Sequence, residues 1–197
     1  MADLIRRSAP STLFVTAEEI KSSARITNTR EQSFFQQCAN GACAAADGPT
    51  GHLKRAVINQ GWTLVTNSFE AVLPLGAHTL DGIRYLDEDE VEQVVDPALY
   101  RASNGRANFC PILKADQSWP DKAAADDAVM IDFTAGYGDA PGDVPQDIRH
   151  ATIMLGVHYY ENRSASIGDP RLSEVSRDVT MGYNNLMQGH IDMRRYF

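Results

Sequence analysis

The chain has 197 residues, 43% of them hydrophobic and 22% charged, with 14 Gly and 9 Pro. This mixture excludes a disordered, collagen-like or membrane-embedded chain and fits one folded domain, or one with an insertion. Lys plus Arg number 18 against 26 Asp plus Glu, a net charge of -8, which argues against a protein whose main task is to neutralise phosphate backbones.

The charge is unevenly spread. Residues 1–80 hold 7 basic and 6 acidic groups, residues 81–147 hold 5 and 15, and residues 148–197 hold 6 and 5. The acidity therefore belongs to one middle segment. Three cysteines, Cys38, Cys43 and Cys110, are an odd number without CxxC spacing, so the expectation is reduced, partly buried thiols and neither a disulfide framework nor a zinc ribbon. The first ten residues lack the apolar region of a signal peptide, and no run reaches the roughly 18 apolar residues of a membrane span. A protein made and folded in a cytoplasm, with no membrane partner, is expected.

The first start signal is Val15-Thr16-Ala17-Glu18-Glu19-Ile20. Thr16 can cap a helix, Glu19 can return the bond, and Val15 can pack on Ile20, which predicts a short helix from Ala17 to Arg25. Asn28 to Glu31 repeats the capping logic. Behind it Phe34, Phe35, Cys38, Ala39, Ala42 and Ala46 recur at spacings of three and four until Asp47-Gly48-Pro49, predicting a second, longer helix.

From there the period changes. Strands are expected in Ala56 to Phe69, Gly82 to Leu86, Val91 to Val95, Asn108 to Leu113 and Ala128 to Ala135, forming a small, mostly antiparallel sheet. Asp87-Glu88-Asp89-Glu90 reads as the acidic tip of a hairpin. It fails the calcium-loop pattern, which needs a glycine at the sixth position and alternating Asp or Asn from the first.

Asp143 is the expected cap of a third helix, with Pro145 in its first turn. Ile148, Ala151, Thr152, Leu155 and Tyr159 form its stripe, widened by Ile153, Met154 and Val157, which marks this helix as the expected centre of the core. After the polar linker Ser164 to Pro170, Leu172, Val175, Val179, Tyr183 and Leu186 follow a helical spacing.

The predicted fold class is α+β: a helical core of about four helices, a β-rich insertion between the second and third, and an extended C-terminal segment. The corresponding segments are 1–56 for the N-terminal helices, 57–140 for the insertion, 141–163 for the central helix, and 164–197 for the linker, last helix and tail.

Catalytic patterns find no anchor. His52, His78, His150, His158 and His190 are dispersed, and the one pair on a common predicted helix is two turns apart, too far for one metal. Gly48 to Lys54 lacks the Gly-Lys-Ser/Thr ending of a phosphate loop, and no GxSxG or GxGxxG is present. No catalytic residue, metal or cofactor is expected, and the reading is a non-enzymatic protein.

A set of segments in fixed order points further. These are Thr16 to Lys21, Thr50-Gly51 with Gln60-Gly61-Trp62-Thr63-Leu64, Tyr85-Leu86-Asp87, Asp96-Pro97-Ala98-Leu99-Tyr100-Arg101, Gln117-Ser118-Trp119-Pro120, Phe133-Thr134-Ala135-Gly136-Tyr137-Gly138-Asp139, and Val144-Pro145-Gln146-Asp147-Ile148-Arg149 through His158-Tyr159-Tyr160-Glu161-Asn162-Arg163. In this order the chain resembles, over roughly residues 15–163, the phage head-tail connector proteins, the adaptor subunits of long-tailed phages and of phage-derived gene transfer agents.

The resemblance implies a homo-oligomeric ring, commonly a dodecamer, below the portal of a phage-like particle. Such a ring extends the DNA channel, lets DNA pass without specific binding, and joins the capsid to a tail-terminator or stopper protein. It implies localisation in the neck of the particle after assembly in the cytoplasm. The family's C-terminal segments dock on the portal protein, and by position Ile191, Met193, Arg194, Arg195, Tyr196 and Phe197 would be the docking residues here; aromatic, Met and Arg side chains suit an interface core. Asp87, Glu88, Asp89 and Glu90 would form an acidic channel wall or rim that repels passing DNA, against the alternative that they serve solubility alone. Two other readings stay open: a small cytoplasmic enzyme or ligand-binding protein with an acidic site on the sheet, and a tail-completion protein of related shape.

Overall fold

The computed structural model describes residues 3–27, 30–103, 109–163 and 181–192. The chain divides into two compact units, one of residues 11–58 and 137–193, the other of residues 1–10, 59–136 and 194–197. The fold is α+β, with all strands but the first lying in the sequence between the second and third helices.

In the helical unit, α1 spans Ala17–Ser23. Its cap is the expected one: the Glu19 amide donates to Thr16 Oγ1 at 3.2 Å and the Thr16 amide donates to Glu19 Oε2 at 2.8 Å. Val15 and Ile20 are both fully buried, completing the staple. α2 covers Gln32–Ala46 and α3 covers Gln146–Glu161. Residues 181–187 are helical and run into a short 3-10 turn, Gln188–His190.

The centre of this core is α2, not α3. Phe35, Cys38, Ala39, Ala42, Cys43 and Ala46 of α2 are buried, whereas α3 buries only Ile148, Ala151, Thr152 and Gly156. The broad apolar stripe expected of α3 is half-buried at Ile153, Leu155 and Val157, and Tyr159 is 36% exposed. The three buried alanines of α2, Ala39, Ala42 and Ala46, explain the reversal, because small side chains let neighbouring elements close over that helix.

The start of α3 also differs from expectation. Pro145, with ψ 138°, occupies the cap position, and Asp143 instead closes the preceding 3-10 turn Pro141–Asp143 by accepting from the Ala140 amide at 3.0 Å. Val144, preceding a proline, is held extended at ψ 132°. That places Asp143 too far back to reach the first helical amides.

In the other unit a five-stranded sheet has the order β1-β2-β7-β3-β4, every neighbouring pair antiparallel. The strands are β1 Asp3–Arg6, β2 Gln60–Thr66, β3 Ala77–Leu86, β4 Glu92–Val94 and β7 Val129–Ala135. β5 Tyr100–Ala102 and β6 Pro111–Leu113 form a separate ribbon. The segment 1–56 reads as helical throughout, yet residues 3–6 form β1 and pair with β2, Leu4 opposite Leu64 and Ile5 opposite Thr63. β3 is twice the expected length, because irregularities between Ala77 and Thr79 and between Leu80 and Gly82 break the two-residue period that marks a strand.

The sheet has one buried and one polar face, as an antiparallel sheet allows. Along β7, Val129, Ile131, Phe133 and Ala135 are buried while Met130, Asp132 and Thr134 are half-exposed. Phe69 and Trp119, which stack at 4.8 Å, and Leu73 and Leu75, both fully buried, belong to this unit's core. Among the described residues no helix is long and apolar enough to cross a membrane.

Candidate assembly surfaces

The polar face of the sheet carries a chain of ion pairs centred on Asp132. Its carboxylate accepts from Arg84 Nε at 3.1 Å, Arg84 Nη2 at 3.3 Å and Thr63 Oγ1 at 2.5 Å, and lies 3.5 Å from Arg7 Nε. Arg84 reaches Glu92 at 3.1 Å, and Arg7 binds Asp81, which also accepts from Thr134 Oγ1 at 3.1 Å. Three acids of the middle segment are thus spent on two arginines. The Arg84 guanidinium is held protonated even more firmly than usual, first by the hydrogen bond to Asp132 and then by that to Glu92.

At the hairpin tip the four acids divide into two roles. Asp87 Oδ1 accepts from the amides of Asp89 at 3.0 Å and Val91 at 2.9 Å, and Oδ2 accepts from Gln93 Nε2 at 2.9 Å. These bonds, that from the Val91 amide foremost, hold its carboxyl below the usual carboxylate range. Asp87 therefore shapes the turn. Glu88, Asp89 and Glu90 are exposed.

In the helical unit two ion pairs link elements far apart in sequence. Arg149 of α3 binds Glu19, the return partner of the α1 cap, and its Nε donates to Phe14 O at 3.3 Å. At the other end of α3, Arg163 lies 2.6 Å from Glu31 Oε1 and Tyr160 donates to Glu31 Oε2 at 2.7 Å. The Arg163 guanidinium also sits over the rings of Phe34 at 4.5 Å and Tyr160 at 4.9 Å. Glu31 is the cap residue of α2, so this cluster joins the start of α2 to the end of α3.

The Arg163 bond, then the Tyr160 bond, lower the Glu31 carboxyl from its ordinary 4.5 to about 2. A depressed carboxylate stabilises the fold fully above its unfolded pKa, and the contribution drains away as pH falls from about 4.5 through about 2. Glu31→Gln should therefore flatten the acid limb of a melting-temperature profile in that window. An unchanged slope between wild type and variant would refute the assignment.

The remaining polar residues hold structural positions. Cys43 Sγ meets Val15 O at 3.7 Å, and burial pushes its thiol up to about 12; burial likewise raises Cys38. His52 lies edge-on to Tyr183 at 5.2 Å, and desolvation lowers its pKa. His78 bonds Asn59 at 3.0 Å, His158 bonds Asn162 at 3.0 Å, and His190 lies 3.4 Å from the Tyr137 hydroxyl.

Of the residues expected to dock on a portal, only Ile191 falls among the described ones; Met193, Arg194, Arg195, Tyr196 and Phe197 lie outside them. Ile191 is half-buried. The next residue, Asp192, is buried and its amide donates to Leu53 O at 2.8 Å, pinning the chain to the helical unit. The Glu31–Tyr160–Arg163 and Glu19–Arg149 pairings are not legible in the sequence, although Glu19, Arg149, Tyr160 and Arg163 stand in the segments that carry the resemblance.

No family model matches the chain, and no curated protein matches it by sequence. By structure, the class of fold is that of chains in gene transfer agent particles. A chain in the neck of an empty gene transfer agent particle, computed with C6 symmetry, superposes with TM-score 0.69 at 23% identity, covering 96% of this chain and 95% of that one. A chain of the virion of a native gene transfer agent particle gives 0.68 at 21%, covering 95% and 94%. One in the neck of the native particle, computed with C12 symmetry, gives 0.64 at 20%, covering 96% and 94%.

Proposed function

We propose that this chain is a head-tail connector subunit. It assembles as a ring, a dodecamer, below the portal of a phage-like particle, extends the DNA channel and joins the capsid to a tail-terminator or stopper protein. The observation that carries this reading is the near end-to-end agreement of fold with chains of gene transfer agent necks, both units included. The ordered segments from Thr16 to Arg163 support the same family independently of the fold.

The side-chain chemistry favours a structural part over an enzyme or ligand-binding protein with an acidic site on the sheet. The carboxylates on that face, Asp81, Asp132 and Glu92, are occupied by Arg7 and Arg84. Light scattering after size exclusion, with and without portal protein, tests the reading. A ring-sized oligomer, or one formed on adding portal, is expected; a monomer inert to portal that binds a small ligand would overturn it.

The acidic rim is a finer part of the same proposal. Because Asp87 builds the turn, the informative variant is Glu88→Gln with Asp89→Asn and Glu90→Gln, which removes exposed charge and leaves the turn bonds of Asp87 in place. Slower DNA ejection in particles carrying it is expected, since a neutral wall repels the phosphate backbone less. Unaltered ejection would leave these acids as solubilising groups only.

Portal docking by the tail is tested by truncation after Asp192 and not before it, so that the Asp192–Leu53 bond survives. Loss of portal binding by a truncated protein of unchanged melting temperature is expected. Full binding would remove the tail from the interface.

A further inference from the structure

The five-stranded sheet is open at both edges, β1 on one side and β4 on the other. The directions of their outward groups follow from the ladders. The Arg7 amide bonds Gly61 O at 2.8 Å, so on β1 the alternate residues Leu4 and Arg6 turn their backbone groups away from β2. The outward Leu4 amide is met by the carboxylate of its own neighbour, Asp3, at 2.8 Å. On β4, the Val95 amide bonds Ile83 O at 2.9 Å, so Glu92 and Val94 turn theirs away from β3.

Five strands joined by four antiparallel pairings make β1 and β4 run in the same direction. A second copy placed beside the first with its sheet continuing the same faces therefore brings β1 of one copy parallel to β4 of the other. In a parallel pair, an outward residue bonds the two residues flanking the one opposite it. Leu4 set opposite Gln93 meets the outward groups of Glu92 and Val94, and side chains on both strands keep their faces. Antiparallel pairing of the same edges would place buried-face Leu4 against polar-face Val94 and invert one sheet.

Two further observations fit this register. Ile5 and Val94 are exposed apolar residues, 52% and 70%, and both lie on the polar face, one at each edge. Opposite one another across the joint, they would bury each other. The edges differ in charge too: at β1 Asp3 and Arg6 offset one another, whereas β4 has Asp96 and the exposed tip acids Glu88, Asp89 and Glu90 beside it. Two β4 edges brought together would repel, which disfavours that like-edge pairing.

We infer that copies of this chain join by parallel pairing of β1 with β4 of the next copy, Ile5 beside Val94. Such a joint is heterologous, the kind that closes into a ring. It rests on the ring reading above and names the surface through which the ring forms. The test is a cross-link. In a Cys110→Ser background, Ile5→Cys and Val94→Cys on one chain should give a ladder of disulfide-linked species under oxidation, because neighbouring strands about 4.8 Å apart suit a disulfide. Mixing the two single variants should give the mixed dimer in preference to either homodimer.

Val94→Pro removes an outward amide without touching the β3 ladder, and should raise the concentration for half-assembly about tenfold or more at unchanged melting temperature. A ring-sized oligomer without cross-links, and insensitive to Val94→Pro, overturns this joint and leaves the ring reading standing. A chain monomeric with and without portal overturns both.

Discussion

Gly136→Ala should lower the unfolding free energy by about 2–4 kcal/mol, the combined cost of a forbidden backbone conformation and of overpacking against a fixed neighbour. Gly136 follows the last residue of β7 with φ 150°, a region that side-chain-bearing residues avoid. A Cβ there would lie 2.5 Å from Asn59 Oδ1, 2.6 Å from Asn59 N and 2.7 Å from Asn59 Cα. Two of those atoms are backbone, and the chain beside them is tied into the sheet through the pairing of Gln60 with Ala135. Nothing can move aside cheaply.

Gly142→Ala is the control, since nothing lies within 4 Å of its added Cβ. It should change stability by less than about 0.5 kcal/mol. Urea titration of both variants decides the matter; equal midpoints would show that Gly136 is not conformationally required. The same crowding explains a second glycine of that segment, because a Cβ on Gly138 would sit 2.5 Å from Asp143 Cβ.

Gly156→Ala should destabilise by about 1–2 kcal/mol, although alanine is the better helix former. Propensity alone would favour the variant by about 1 kcal/mol. Against this, the new Cβ would lie 2.3 Å from Ile20 Cδ1 and 2.9 Å from Ile20 Cγ1, and Ile20 is fully buried. Overpacking of this kind costs about 1–3 kcal/mol and wins. Ile20→Val removes the methyl that clashes most, so the double variant should be more stable than the sum of the singles predicts, by more than about 0.5 kcal/mol. Strict additivity would place the strain elsewhere.

Features that depend on neighbours in sequence were legible. The Thr16–Glu19 cap and the Val15–Ile20 staple are written within six residues, and both are present as read. The stripe of α2 and the acidic hairpin between β3 and β4 follow from periods of 3.6 and 2 that need no tertiary knowledge. Where local signals conflict, backbone geometry decides between them. Asp143 has the chemistry of a helix cap, but the proline two residues on held the chain extended and moved the cap to Pro145.

The candidate surfaces were less legible, because each is made by residues with no sequential relation. Glu31 and Arg163 stand on either side of the whole sheet segment, and no spacing rule connects them. Asp132 reads as one more acid of a -10 stretch until Arg7 and Arg84 are found against it. The hairpin acids read as four equivalent charges. Only the turn geometry separates Asp87, which binds two backbone amides, from the three exposed ones.

Sequence by itself determined the fold class, the place of the β-rich segment between the second and third helices, the two-residue alternation of β7 and the concentration of acidity in the middle segment, since each is a property of consecutive residues. The ordered motifs also carried the likeness to head-tail connectors. Tertiary structure alone decided that residues 3–6 complete the sheet, that α2 rather than α3 centres the helical core, and which acids are neutralised. The reason is common to all three. Strand partnership, burial and ion pairing are set by which distant segments lie alongside, and a one-dimensional pattern records what each residue can do without recording what it meets.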